Sequence, residues 1–315
     1  MSAASSPLVS VVICTRNNAT LLRHAILSTL DQDFPGESFE VVVVDNGSSD
    51  ATRETVFEFT SCRPVRYVLE PSLGLCHARN AGWRCARGRY VAYLDDDALA
   101  CPGWLAAIPR AFEATTPSPG VVGGRVEPLW EAERPSWLSD HLARGLTIVD
   151  WSDRPHLITD LRQEWLAGTN MAAPAAVLAE VGGFHPWLDR AGANMLSSGD
   201  VFLEKEIVRR GYPCFYDPAM SVQHRVPASR LSKGWFRRRY YWQGVSDAVM
   251  QLLEERPSPA RRASDALART VDLLTCPRDL RALASISDDP DHFERKCFAL
   301  IAVGHITGLL GAGGH

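Results

Sequence analysis

Hydrophobic positions come first in an almost unbroken run, Leu8–Cys14 (LVSVVIC), which predicts a strand buried on both faces. The spacing then changes to helical over Thr20–Asp31, where Leu21, Leu22, Ile26 and Leu30 recur on one face until Asp-Phe-Pro-Gly stops it. Phe39–Val44 (FEVVVV) is a second buried strand, running into DNGSSD, a turn that also caps a helix beginning near Ala51. Val65–Leu69 predicts a third strand, Leu75–Ala86 a helix and Arg89–Leu94 a fourth strand. This alternation predicts an α/β fold, a mostly parallel Rossmann-like sheet flanked by helices. Past Pro102 the pattern loosens. Val121–Val126 reads as one strand, a Trp- and Pro-rich stretch follows, and Ser198–Arg210 reads as a helix bounded by Gly211. Cys214–Tyr216 and Ser221–His224 read as short strands, and from Ser229 onward everything is helical. A boundary near residue 226 follows, with an α/β domain over 1–226 and a helical C-terminal region over 227–315. The longest apolar stretch, Phe298–Gly314, is broken by His305 and several glycines, and predicts a packed or membrane-lying helix rather than a span.

Composition narrows the function classes. The 315 residues are 46% hydrophobic and 22% charged, the balance of a globular protein with a sizeable core. A net charge of −4 gives no basic field for nucleic acid, so any anion site is local. The eight cysteines, Cys14, Cys62, Cys76, Cys85, Cys101, Cys214, Cys276 and Cys297, form no C-x-x-C pair, which argues against structural zinc. The N-terminal stretch lacks a basic region and a long apolar run, so a reducing, cytoplasmic setting is the expectation.

In open α/β sheets ligands bind at the carboxyl ends of the strands. Three polar clusters lie there, Cys-Thr-Arg-Asn, Asp-Asn-Gly-Ser and Leu-Asp-Asp-Asp, and are predicted to converge. With a strand period of two, Asp95 and Asp97 share a side and Asp96 points away, supporting the turn. Paired carboxylates suit a hard cation such as Mg²⁺ or Mn²⁺, although a solvated turn with an Asp cap fits the same residues. Arg79 can hold a diphosphate oxygen or pair with Asp95; an ordinary solvated helix charge is the other reading. Asp45 can accept from the imide N–H of a base or cap its turn. Thr15 and Arg16 form the loop after the first strand. Gly168, Thr169 and Asn170 suggest a close backbone approach. Asp200 opens a helix, where the macrodipole favours it, and is also placed as a base. His224 closes a strand.

The pieces VSVVICTRNN, VVVVDNGSSD, GLCHARNAGWRCARGRYVAYLDDDA, GTNMAAPAAVLAEVGGFHPWL, SSGDVFLEKEIVRRGYPCFYDP and QHRV stand in the order of an inverting glycosyltransferase of family 2, and the chain resembles that family over roughly 8–226. The resemblance implies the GT-A fold and inverting transfer of a sugar from a nucleotide-sugar donor, UDP-linked, to an acceptor hydroxyl. It implies that Thr15, Arg16 and Asn17 lie beneath the nucleobase, that Asp45 reads uracil, and that Arg79 and Asn80 brace base and diphosphate. It further implies Asp95 and Asp96 on the donor, Asp97 on Mg²⁺ or Mn²⁺ with His224 as a further ligand, Gly168–Asn170 under the donor sugar and Asp200 as the base. Gly199 stands where the family often has glutamate, and Asn46 where a second aspartate is common.

A sugar-phosphate nucleotidyltransferase would need a glycine-rich loop after the first strand, and Cys14–Asn18 holds no glycine. A catalytically impaired nucleotide-sugar-binding protein is the other competing reading. Arg230–Gly244 (RLSKGWFRRRYYWQG) is either an interfacial helix with Trp235, Phe236 and Tyr240 at headgroup level, giving peripheral contact at the inner face of the membrane, or a helix packed on the protein. The acceptor, a glycan, lipid-linked or small molecule, is expected to be chosen by the stretches 130–165 and 185–198.

Overall fold

A computed structural model of the protein describes residues 6–61, 64–188, 190, 194–287 and 289–311. It divides into two compact units, the first made of Met1–Leu129, Ile148–Pro186 and Gly199–Arg225, the second of Trp130–Thr147, Trp187–Ser198 and Val226–His315. The strands are β1 (Val9–Thr15), β2 (Phe39–Asp45), β3 (Val65–Leu69), β4 (Tyr90–Asp95), β5 (Ala98–Ala100), β6 (Val121–Gly123), β7 (Val126–Trp130), β8 (His156–Ile158), β9 (Asn170–Pro174), β10 (Cys214–Tyr216) and β11 (Val222–Val226). The helices are α1 (Ala19–Leu30), α2 (Thr52–Thr60), α3 (Leu75–Cys85), α4 (Trp104–Ala114), α5 (Asp140–Ala143), α6 (Ala175–Val181), α7 (Gly199–Arg209), α8 (Lys233–Glu255), α9 (Pro259–Thr275), α10 (Pro277–Ala284) and α11 (Pro290–Leu309).

The first unit carries a sheet in the order β3-β2-β1-β4-β9-β6-β10-β8. Its β3-β2-β1-β4 half is parallel, β9 runs antiparallel to β4, and β6 antiparallel to β9. Every residue of β1 and β2 is buried, which is why these strands read as continuous β-branched runs rather than alternations. A second sheet, β5-β11-β7, lies in the order given. The stretch expected as one strand over Val121–Val126 is two. A Cβ added at Gly124 would lie 2.1 Å from the Met220 carbonyl and 2.3 Å from that of Asp217. The chain turns away there, leaving β6 in the large sheet and β7 in the small one.

In the second unit, Phe236 and Tyr240 of α8 are buried, at 0% and 6% exposure. Trp137 packs edge-on against both Phe236 and Phe293, with ring centroids 5.2 and 5.0 Å away. Phe236 and Tyr240 therefore fill a core, the packed alternative rather than the headgroup one for these two rings; the exposed residues of that stretch are Ser232, Arg237 and Arg238. Among the described residues no helix is long and apolar enough to cross a membrane. The end of the apolar stretch, residues 312–314, and Cys62 lie outside the described residues; the other seven cysteines are free thiols.

Candidate active site

Sheet register places three site positions side by side. Thr15 pairs with Asp45 across β1 and β2, and Cys14 pairs with Asp95 across β1 and β4, so all lie at the carboxyl edge of the parallel half. The loops that leave this edge are stitched together. The Asn17 backbone N–H donates to Ser48 Oγ at 2.9 Å, and Asn17 Oδ1 accepts from the Ser49 N–H at 2.7 Å. Asn17 takes a φ of 53°, a left-handed conformation that asparagine tolerates. Asp45 is 3% exposed; it accepts from the Ser48 N–H at 2.8 Å and the Tyr67 hydroxyl at 2.7 Å, so the carboxylate is fixed in direction. Arg16 is exposed beside them.

The three aspartates part company because the strand ends at Asp95 and the chain turns, so strict alternation stops there. Asp95 pairs with Arg79 at 3.0 Å, Asp96 accepts from the Thr15 hydroxyl at 2.6 Å, and Asp97 faces His224, Oδ1 to Nε2 3.4 Å. Burial pushes the Asp96 carboxyl up to about 7; the Thr15 hydrogen bond opposes this and the Asp97 charge adds to it. Asp96, expected to point away in support of the turn and also to touch the donor, is tied back to β1.

The Asp97–His224 separation is long for a hydrogen bond, but near the roughly 3 Å between adjacent ligands of one ion with bonds of about 2.1 Å. His224 is 3% exposed and its Nδ1 finds no hydrogen-bond partner among the described residues. No cluster of three or more His, Cys, Asp or Glu ligands occurs among those residues. Mg²⁺ is ordinarily held by one or two carboxylates, with phosphate oxygens and water completing the shell; Asp97 supplies one such carboxylate, and the His224 imidazole beside it suits a softer ion such as Mn²⁺ better.

Arg79 is 6% exposed on α3, its guanidinium 5.2 Å from the Phe184 ring centroid. Burial works against its charge, but the carboxylates of Asp95 and Asp200 outweigh burial and hold its pKa above the ordinary value. Gly168 brings these groups together. A Cβ there would sit 2.5 Å from Arg79 Nη1, so only glycine leaves room for the guanidinium. The Gly168 N–H donates to Asp200 Oδ2 at 2.9 Å, while Asp200 Oδ1 accepts from the Val201 N–H at 3.0 Å. Asp200 remains partly exposed at the start of α7.

Two asparagines have other work. Asn80 Nδ2 donates to the Phe184 carbonyl at 2.8 Å, and its Oδ1 accepts from the Phe184 N–H at 2.9 Å and from Trp83 Nε1 at 3.1 Å. Asn170, fully buried, donates to the Arg125 and Met220 carbonyls and accepts from Trp104 Nε1. Both amides clamp the backbone around the site where each is expected to meet the donor. Thr169 is 1% exposed and its hydroxyl has no partner among the described residues. Sequence reasoning missed Phe184, Tyr67, Trp104 and Glu204. Glu204 is wholly buried, one turn beyond Asp200 on α7, yet in LEKEI it reads as a solvated charge.

Residues 10–181 match the family model described as Glycosyl transferase family 2. The chain is 26% identical over 259 residues to a glucosyl-dolichyl phosphate glucuronosyltransferase of Haloferax volcanii, covering 81% of each chain. It is 33% identical over 202 residues to a validoxylamine A glucosyltransferase of Streptomyces hygroscopicus, 56% of this chain but only 47% of that one. Among solved structures, a mannosyltransferase from Pyrobaculum calidifontis in complex with GDP-Man and Mn²⁺ superposes with a TM-score of 0.61 at 20% identity, covering 97% of this chain and 88% of its own. Residues 1–349 of S. aureus TarS in complex with UDP give 0.55 at 15% identity, covering 97% of this chain and 91% of that one.

Proposed function

The chain belongs to glycosyltransferase family 2, and on that premise we propose that it moves a sugar from a nucleoside-diphosphate donor, a UDP-sugar, to an acceptor hydroxyl in one inverting displacement. The observation that carries this is the junction at Gly168, whose N–H holds Asp200, whose missing side chain admits Arg79, and which thereby joins the base to the Asp95 end of the sheet.

In this reading Asp200 accepts the acceptor proton at the carboxylate oxygen that the Gly168 N–H orients, as the acceptor oxygen attacks the anomeric carbon from the face opposite the leaving group. Arg79, held charged by Asp95 and Asp200, meets the diphosphate. Asp45, aimed by Tyr67 and Ser48, accepts from the imide N–H of the base, with Thr15, Arg16 and Asn17 forming the loop below it. Asp97 and His224 would hold Mg²⁺ or Mn²⁺. When bound, such an ion neutralises charge on the departing nucleoside diphosphate. Gly168, Thr169 and Asn170 form the loop beneath the donor sugar.

The relatives carry the names of enzymes acting on a lipid-linked and on a small-molecule acceptor, and both classes remain acceptors for this chain, with the stretches 130–165 and 185–198 choosing between them. Seven free cysteines support a cytoplasmic setting, where peripheral contact with the membrane's inner face would serve a lipid-linked acceptor.

Asp200→Asn tests the reading. Slow donor hydrolysis and transfer should fall by about 10²–10⁴-fold, with nucleotide affinity nearly unchanged. Substantial residual turnover sinks the base assignment. Binding without turnover in the unaltered protein, across a panel of nucleotide sugars, would instead favour a binding-only role, against which the intact Asp95, Asp97 and Asp200 stand.

A further inference from the structure

The loop from Trp165 to Asn170 is held from several sides. Trp151 Nε1 donates to the Trp165 carbonyl at 2.8 Å. The Asn170 N–H donates to the Ala167 carbonyl at 2.8 Å, and the Asn170 side chain is itself clamped by three partners. Helix α7 supplies the remaining two ties. Asp200 accepts from the Gly168 N–H, and Glu204, four residues later on the same helix face, accepts from the Leu166 N–H with its two oxygens at 3.2 and 3.1 Å. Two carboxyls one helical turn apart thus grip alternate residues of one loop.

We infer that Glu204 is a positioning residue for the transfer, fixing Leu166 so that the Gly168 N–H meets Asp200 and the bare Gly168 Cα leaves room for Arg79. The inference rests on the assignment of Asp200 as the base. Glu204 has 0% exposure, and a carboxylate at such a depth without a cation is costly. The titratable groups that face it are Asp200 on its own helix and Cys214 on β10, and neither offsets a negative charge. Burial, then the Asp200 charge, raises the Glu204 pKa well above the usual carboxylate range, against the opposing Leu166 hydrogen bond. Glu204 therefore grips the loop as a neutral acid. Glu204 and Asp200 thus hold the loop from one helix face, at Leu166 and Gly168.

Neutrality makes the prediction specific. Glu204→Gln keeps size, neutrality and an acceptor oxygen, whereas Glu204→Ala removes the grip. Amide exchange followed residue by residue reads the loop directly, independent of chemistry. In Glu204→Gln, protection at Leu166 and Gly168 stays within about threefold of the unaltered protein, and so does kcat. In Glu204→Ala, protection at both amides falls at least about tenfold and kcat falls by about 10²-fold, the cost of a misplacement near 1 Å.

The inference is overturned if Glu204→Ala keeps protection and turnover, or if Glu204→Gln loses turnover with the loop still protected, because a charge would then be required. Should the alanine variant fail to fold, the glutamine variant alone decides. If Asp200→Asn retains turnover while Glu204→Ala loses protection, the base assignment fails and the anchoring stands.

Discussion

At the residue scale the site separates groups free to bind from groups already spent. Asn80 is spent, its amide closing on both backbone groups of Phe184, whose ring lies 5.2 Å from the Arg79 guanidinium. Asn80→Ala would strand a buried N–H and C=O, at a cost of about 2–3 kcal/mol in denaturant melts. It should also raise the donor KM, through loss of the surface beneath Arg79. A variant with full stability would show that the clamp is dispensable. Tyr93 is the converse case. Its hydroxyl, on a residue 1% exposed, has no partner among the described residues, so folding strips its water without return. Tyr93→Phe should stabilise the protein by about 1 kcal/mol and raise Tm by a few degrees, roughly 2–4 °C for a chain of this class. A fall in Tm would mean that the hydroxyl has a partner in solution.

At the element scale, a helix buries its polar groups only when the facing helix answers them. On α11, His305 is 6% exposed and its Nε2–H donates to Gln251 Oε1 of α8 at 2.9 Å. Burial, reinforced by the charge of Arg269 and opposed by Asp265, lowers its pKa from 6.5 to about 4. With the folded pKa below the unfolded one, the unfolded chain takes up the proton first as pH falls. Stability is complete above about 6.5 and is lost progressively as pH drops toward about 4. His305→Gln keeps a donor and does not titrate, so its melting temperature should fall less between pH 7 and pH 5 than that of the unaltered protein. Parallel declines would place the acid sensitivity elsewhere. The same scale shows what the sequence disclosed. The helices α1 and α3 were legible from their periodicity and β1, β2 and β4 from burial on both faces, and register then brought Thr15, Asp45 and Asp95 to one edge. The break at Gly124 was not legible, because it is set by carbonyls some ninety positions away in the chain. Glu204 was not legible because charge spacing on α7 looks the same whether a carboxylate meets water or a backbone N–H.

At the scale of the whole molecule, a net charge of −4 means that a dianionic donor is not drawn in by a general field. In the proposed reading, affinity comes from Arg79, from the backbone at the sheet edge, and from a cation on Asp97 and His224. This makes nucleotide binding depend on the metal in a way that can be separated from fold stability. With Mn²⁺ present, saturating UDP should raise Tm, since a ligand at about one hundred times its Kd adds about 2.7 kcal/mol to the folded state. Chelation should remove most of that shift without changing the melt of the ligand-free protein, because the core beneath Asp97 and His224 is built of apolar side chains rather than ion ligands. Asp97→Ala should reproduce the chelated behaviour even with Mn²⁺ added, and calorimetry should show its nucleotide affinity becoming insensitive to the metal. Equal shifts for UDP with and without Mn²⁺ would refute the metal role of Asp97 while leaving Asp200 to its own test. A larger shift with GDP than with UDP would move the donor assignment from uracil to guanine, which also offers an N–H to Asp45.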